Sequence, residues 1–210
     1  MAVVLGGDGK MTEIEVQREI ADKLTVLLVQ QGYESEVKIQ WSAFSGHGRR
    51  TYSPKVDIAV GPFAVERGYE NEYDLMVDSF RRLVDTWIDM FRRNWQSVIG
   101  DRYWSVSPYS PSGYRDFIEQ SANRNARCFI AIEVENKNST KHLLGSIINA
   151  GALGRVGILV AWREEVLQAA IRIREYFNFL QEAKKRTFNM SDVIVLSRNQ
   201  LAGSLGRFST

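Results

Sequence analysis

Residues Cys128 to Lys137 have the sequence Cys-Phe-Ile-Ala-Ile-Glu-Val-Glu-Asn-Lys, an apolar run that ends in three charged residues at alternate positions. Successive side chains of a β-strand point to opposite faces, so a strand here places Glu133, Glu135 and Lys137 on one face. A run this apolar predicts a strand that is buried on both faces as far as Glu133. Charges at the end of a buried strand are costly unless they are paired or bind a metal. We therefore expect the functional chemistry to be located here.

The composition is that of an ordinary globular protein. The 210 residues are 44% hydrophobic and 25% charged, with a net charge of +2, and this length is sufficient for one well-buried domain. A charge this small does not by itself identify a nucleic-acid partner. The single cysteine, Cys128, excludes an intramolecular disulfide and a CxxC zinc site. Its apolar surroundings predict a buried thiol.

Nothing in the sequence predicts export or membrane insertion. Residues 1–10 lack a basic segment followed by an apolar one, and no run approaches the roughly 18 apolar residues of a membrane span. We therefore expect a cytoplasmic protein with no membrane association.

Periodicity and turn residues divide the chain into alternating elements. A helix is predicted from Thr12 to Gln31, where Thr12 and Glu15 fit a capping box. Further predicted strands lie at 34–42, 52–60, 128–134, 156–162 and 192–197; further predicted helices lie at 74–99, 114–123, 140–153 and 164–185; a turn is predicted at 46–50 and a loop at 103–113. This order predicts an α/β protein with an at least partly parallel sheet. We expect one domain, 1–210, in which residues 64–126 form a mainly helical insertion.

A second acidic residue, Asp57, lies in the strand predicted at 52–60 and follows Pro54 by three positions. Pro54 and Asp57, together with Glu133-x-Glu135-x-Lys137, resemble the motif of the PD-(D/E)xK nuclease superfamily. That superfamily includes many type II restriction endonucleases, archaeal Holliday-junction resolvases and repair nucleases. The resemblance implies a restriction-endonuclease-like core, which is a mixed central sheet flanked by helices.

The resemblance extends over approximately residues 12–61 and 127–162, and it implies a metal-dependent DNA endonuclease of the restriction or defence type. Mg²⁺ is a hard cation that prefers carboxylate and water oxygens, and Mn²⁺ is a possible substitute. On this interpretation Asp57 and Glu133 bind the metal. Glu135 contributes to the metal site or shapes the attacking water.

The register of the motif has two interpretations. In one, Glu135-Asn136-Lys137 is the E-x-K and Lys137 is the catalytic lysine. In the other, which we favour because Glu133 directly follows the apolar run, Glu133 and Glu135 form an E-x-E variant. Lys137 or Lys141 then replaces the missing lysine, or Glu135 binds a second metal or acts as the base.

A glutamate from the first helix often supports the metal in this superfamily. Glu19 is the candidate here, with Glu15 as the second choice because Glu15 also fits the capping box. The helix predicted at 74–99 carries arginine pairs beside an apolar stripe, so it packs on the domain or on a second copy of the chain. A double-strand cutter needs two active sites, which makes a homodimer the expected assembly.

Two other classes of function remain open on the sequence. One is a catalytically inert member of the same fold that binds DNA or a protein, because the lysine of the motif is ambiguous. The other is a purely structural α/β protein, in which the arginine-flanked helix predicted at 74–99 is an interaction surface. At the level of single residues, Asp57 is alternatively a strand-end aspartate satisfied by backbone N–H groups, and Glu133 and Glu135 are alternatively glutamates on an exposed sheet face.

Overall fold

The structure, a computed structural model, describes residues 12–43, 54–65, 68–100, 123–182 and 193–208. The predicted turn at 46–50, the predicted loop at 103–113 and all but the last residue of the helix predicted at 114–123 lie outside these ranges.

Helices and strands alternate along the described residues much as the sequence predicts. The elements in chain order are α1 (Glu13–Gln30), β1 (Val37–Ser42), β2 (Lys55–Val60), α2 (Glu70–Ser79), α3 (Arg81–Ile99), β3 (Cys128–Glu135), α4 (Thr140–Leu153), β4 (Gly154–Ala161), α5 (Glu164–Glu182), β5 (Val193–Ser197) and α6 (Arg198–Phe208).

The strands form one mixed five-stranded sheet in the order β1-β2-β3-β4-β5. The β1–β2 and β2–β3 pairs are antiparallel, whereas the β3–β4 and β4–β5 pairs are parallel. Parallel neighbours need a crossover connection, which α4 and α5 supply. The predicted α/β class with a partly parallel sheet is confirmed.

The first helix begins as predicted. Thr12 is the N-cap of α1, and the reciprocal bonds of a capping box are present between Thr12 and Glu15. The Glu15 carboxylate accepts from the Thr12 backbone N–H, with the Glu15 Oε2 2.6 Å from that nitrogen. This pairing satisfies donors that the first turn of a helix leaves open.

The central strands are buried on both faces, which explains their continuous apolar sequences. All eight residues of β4 are buried, and so is β3 from Cys128 to Val134. The predicted burial of the Cys128 thiol is confirmed. The helices α4 and α5 pack against β4, so the two central strands leave little surface for polar side chains except at their ends.

The region predicted as a helical insertion is joined to the core by its second helix. The indole Nε1 of Trp87 in α3 donates to the hydroxyl of Ser204 in α6 over 2.8 Å. The Asn94 amide, also in α3, donates to the Val195 carbonyl of β5 over 3.0 Å. The helix α3 is therefore part of the packing around β5.

Two predictions about these elements are wrong, and one helix was not predicted. The single helix predicted at 74–99 is two helices, α2 and α3, that meet at Phe80. The chain turns there because the buried Phe80 ring packs against Phe129 of β3 and against Tyr33, at centroid distances of 5.7 and 5.8 Å.

The second wrong prediction concerns the end of β3, and the helix that was not predicted is α6. The strand β3 ends at Glu135, so Lys137 is not on the strand face that it was predicted to share with the glutamates. The backbone N–H of Trp162 donates to the Glu135 carbonyl over 2.9 Å, as the last cross-strand bond before the chain leaves the sheet. No helix was predicted at α6, because polar residues and two glycines surround its buried residues Leu201 and Leu205 and weaken the apolar periodicity.

In the ranges described, no helix is both long enough and apolar enough to cross a bilayer.

Candidate carboxylate site

Asp57 and Glu133 lie side by side where β2 and β3 separate. The antiparallel ladder pairs Ile58 with Ile132, and one further step along each strand brings Asp57 opposite Glu133. Side chains of directly opposed residues are on the same face of a sheet. The Asp57 carboxylate also bonds to the next residue of β3, because its Oδ2 accepts from the Val134 backbone N–H over 2.7 Å.

Glu133 is the buried acid of the pair, with 8% of its surface exposed. Its Oε1 accepts from the amide of Asn149 in α4 over 3.0 Å, and the same amide donates to the Lys55 carbonyl over 3.2 Å. The pKa of Glu133 is raised to about 9, first by burial and then by the negative charge of Asp57. The protein alone therefore holds Glu133 protonated at neutral pH.

Glu135, two residues further along β3, is half-buried and is also held by α4. Its Oε1 accepts from the Ser146 hydroxyl over 2.6 Å. Ser146 and Asn149 are three residues apart on α4, which places them on one helix face. That face supplies neutral hydrogen-bond donors to both strand glutamates.

Glu13, in the first turn of α1, is a fourth acid near this site. Its pKa is raised, mainly by burial and then by the charges of Asp57 and Glu135, while the Lys137 ammonium lowers it. Glu13 was not among the sequence candidates. We call Asp57, Glu133, Glu135 and Glu13 the carboxylate cluster.

The remaining sequence candidates lie around this cluster or apart from it. Lys137 is exposed in the segment after β3 and acts on the Glu13 pKa. Lys141 is exposed in the first turn of α4. Glu19 forms ion pairs with Lys23 at 2.7 Å and Arg198 at 3.8 Å, and its role at a metal stays a prediction.

Two glutamines that sequence reasoning missed connect the cluster to α1. The amide nitrogen of Gln40 in β1 donates to Asp57 Oδ1 over 2.6 Å and to Gln17 Oε1 in α1 over 3.2 Å. Gln17 is 2% exposed. A polar spacing of four in α1, Glu13 and Gln17, was visible in the sequence and places both residues on one helix face.

Among the described residues, the donors that reach the strand carboxylates are neutral: the amides of Gln40 and Asn149, the Ser146 hydroxyl, the Val134 N–H and, towards Asp57, the carboxyl group of Glu133. Neutral donors leave the negative charge of Asp57 uncompensated, and that of Glu133 once it has released its proton, which a bound cation would correct. In the part of the chain that the structure describes, no group of three or more His, Cys, Asp or Glu residues has an arrangement that holds a metal ion. Two carboxylates with water and substrate oxygens are nevertheless a usual Mg²⁺ site, so the donor set of Asp57 and Glu133 fits this ion.

Comparison of the chain with protein-family models, with curated proteins and with solved structures gave no match.

Proposed function

We propose that this protein is a metal-dependent endonuclease that hydrolyses phosphodiester bonds in DNA. The observation that carries the proposal is the side-by-side placement of Asp57 and the buried Glu133, with a Glu133 pKa of about 9. Structural carboxylates are usually paired with cations or left in water. Perturbed pairs of this kind occur preferentially at functional sites.

The order of elements supports a restriction-endonuclease-like core. A helix precedes three antiparallel strands, a helical segment interrupts the chain before the third strand, and a helix leads to a parallel fourth strand. The acids lie on the second and third strands. This is the order that the resemblance to the PD-(D/E)xK superfamily implies for the core and for its acidic residues.

Asp57 and Glu133 are the residues that would hold Mg²⁺ or Mn²⁺, with Glu135 beside them. A bound divalent cation supplies Lewis-acid stabilisation of the negative charge on the phosphodiester. Glu133 must release its proton when it binds a cation, because the ligating form of a carboxyl group is the carboxylate.

The other residues of the cluster have roles in proton transfer and charge. Glu135 Oε1 accepts from Ser146, so we assign its second oxygen to the attacking water. This assignment follows the E-x-E interpretation. Lys137 and Lys141 are the candidates for a cation that stabilises the developing negative charge, and the lowering effect of Lys137 on the Glu13 pKa favours Lys137.

DNA is the proposed substrate, and a homodimer is the proposed assembly for cutting both strands. We favour a restriction or defence role over junction resolution because α2 and α3 add substantial structure between β2 and β3. Cleavage of linear, plasmid and four-way-junction DNA, compared with sedimentation of the free protein, separates these alternatives.

The proposal is tested by incubating the purified protein with plasmid DNA and with single-stranded DNA in Mg²⁺, in Mn²⁺ or in EDTA. We expect metal-dependent cutting that is lost in Glu133→Gln and retained in Glu34→Gln, a matched change at an exposed glutamate before β1. Discrete product bands would indicate sequence specificity. Cutting by Glu133→Gln at the wild-type rate would contradict the proposal.

A second candidate is an inert member of the fold that binds DNA or a protein. It is favoured by the fact that Asp57 joins β2 to β1 and β3 through hydrogen bonds from Gln40 and Val134, a structural role that needs no metal. A calorimetric titration with Mg²⁺ distinguishes the two. The nuclease shows a binding signal that depends on Asp57, whereas the inert protein shows none and binds its partner equally well in EDTA.

A further inference from the structure

Gln40 has a backbone conformation that is unusual for its residue type. Its φ is 55° in the middle of β1, and Gln40 lies between the ladder pairs Ile39–Ile58 and Trp41–Val56, opposite Asp57. A residue with a Cβ rarely adopts this left-handed region, and the conformation persists where the surrounding structure holds it in place. We therefore expect the hydrogen bonds of the Gln40 side chain to stabilise this backbone conformation.

The Gln40 side chain is the central member of a hydrogen-bonded chain. Its Nε2 donates to Gln17 Oε1 over 3.2 Å and to Asp57 Oδ1 over 2.6 Å. Asp57 Oδ2 in turn accepts from the Val134 N–H over 2.7 Å. Contacts thus run from α1 through β1 and β2 to β3, and they end next to Glu133.

The chemistry of the four groups fixes the direction of this chain. A carboxylate only accepts, so the Gln40 amide must present its nitrogen to Asp57. The same nitrogen then requires the oxygen of Gln17, which is 2% exposed and is held in place by the surrounding core. Each Asp57 oxygen keeps further acceptor capacity beyond the one bond described, so these contacts orient the carboxylate without blocking it.

We propose that Gln40 is a positioning residue that holds the Asp57 carboxylate in the orientation needed to bind a divalent cation, with its strained backbone aiming the amide at Asp57 Oδ1. The inference rests on the proposed function. It adds a role for a β1 residue and for its buried anchor, Gln17, both of which act through Asp57 rather than on the substrate.

The test measures Mn²⁺ affinity by calorimetry on the metal-free full-length protein, together with urea unfolding in EDTA. Gln40→Met keeps the side-chain length without a donor. Gln40→Gly removes the donor and also relieves the backbone strain, since glycine adopts positive φ freely. Gln31→Met, at an exposed glutamine after α1, is the control.

We expect both Gln40 variants to bind Mn²⁺ about 10- to 100-fold more weakly than the wild type, as is usual when the partner of a metal ligand is removed. We expect the unfolding equilibrium constant of Gln40→Gly to stay within about tenfold of the wild-type value, because the relieved strain offsets the lost bonds. Gln31→Met should match the wild type in both measurements.

Two results overturn the inference in distinguishable ways. In the first, the wild type binds Mn²⁺ and a folded Gln40→Met or Gln40→Gly variant binds it with an affinity within twofold of the wild type. This result refutes the role of Gln40 and leaves the proposed function standing. Wild-type protein that binds no Mn²⁺ refutes the proposed function, and the role of Gln40 with it.

Discussion

The Oδ2 of Asp57 accepts a hydrogen bond of 2.7 Å from the backbone N–H of Val134, so a carboxylate of β2 is bound to β3 directly after Glu133. This contact brings two acids together at the point where the two strands separate. It also continues the sheet bonding by one step, because the Asp57 side chain takes the N–H that the end of the ladder would leave open.

Stability should depend on pH through Glu133. Its native pKa of about 9 lies above the ordinary value of 4.5, so its contribution to stability is fully present below pH 4.5 and is lost as the pH rises towards 9. Glu133→Gln does not ionise. In EDTA we expect the difference in free energy of unfolding, variant minus wild type, to grow by about 2 kcal/mol or more between pH 5 and pH 8, given about 1.4 kcal/mol per pKa unit.

The measurement is urea unfolding across that pH range. The exposed Glu34→Gln should follow the wild-type curve, since its carboxylate is in water in both states. Parallel curves for Glu133→Gln and the wild type would show that Glu133 is ionised in the native protein.

Divalent cations should stabilise the folded protein, and more so at higher pH. A ligand present at a hundred times its dissociation constant adds about 2.7 kcal/mol to the free energy of unfolding. Between pH 6 and pH 8 we expect this gain to increase, because the cation has to displace a proton from Glu133. Thermal unfolding with and without Mg²⁺ measures it.

The gain should vanish in Asp57→Asn and persist in Asp22→Asn, a matched change at an exposed position of α1. An equal gain in both variants would place the cation elsewhere on the molecule.

Truncating the side chain of Phe80, at the junction of α2 and α3, should destabilise the protein, whereas truncating a nearby exposed side chain should not. The Phe80 ring is 5% exposed and packs on Phe129, so Phe80→Ala should lower the free energy of unfolding by about 3–5 kcal/mol. Leu75 in α2 is 65% exposed, and Leu75→Ala should change it by no more than about 0.5 kcal/mol. Urea unfolding of both variants checks the contrast, and similar losses would contradict the packing described.

Two glycine substitutions should change the free energy of unfolding in opposite directions. A Cβ at Gly154 would lie 2.6 Å from the Val156 carbonyl oxygen and 2.9 Å from the Ala131 Cβ, so Gly154→Ala should destabilise by about 1–3 kcal/mol. A Cβ at Gly145, inside α4, meets nothing within 4 Å. Gly145→Ala should stabilise by about 0.5–1 kcal/mol through helix propensity. Chemical unfolding measures both, and equal signs would contradict the close approach of β4 to β3.

The parts of this fold that the sequence predicts are those fixed by local chemistry. The capping box at Thr12 depends on residues three positions apart, and the apolar runs of β3 and β4 encode their own burial. The break at Phe80 depends on Phe129, which is far along the chain, so a periodic pattern across the break could not reveal it. The helix α6 was missed because its buried apolar residues, Leu201 and Leu205, stand among polar residues and two glycines.

The residues of the candidate site also fall into those that local sequence reveals and those that only tertiary packing brings together. Asp57, Glu133 and Glu135 were identified because each follows or interrupts an apolar strand. Glu13, Gln17 and Gln40 reach the site through the packing of α1 and β1 on the sheet, and tertiary contacts of this kind leave little trace in one sequence. Glu19 pairs with Lys23 and Arg198, and its role at a metal stays a prediction.

The proposed role of Asp57 at a catalytic metal is tested by the rate at which the protein nicks or linearises supercoiled plasmid in Mg²⁺, compared between wild type, Asp57→Asn and Asp22→Asn. We predict cleavage by wild type and Asp22→Asn, none in EDTA, and a loss of at least about 100-fold in Asp57→Asn, with all three proteins equally folded by circular dichroism. A folded Asp57→Asn protein that cleaves at the wild-type rate would contradict the account.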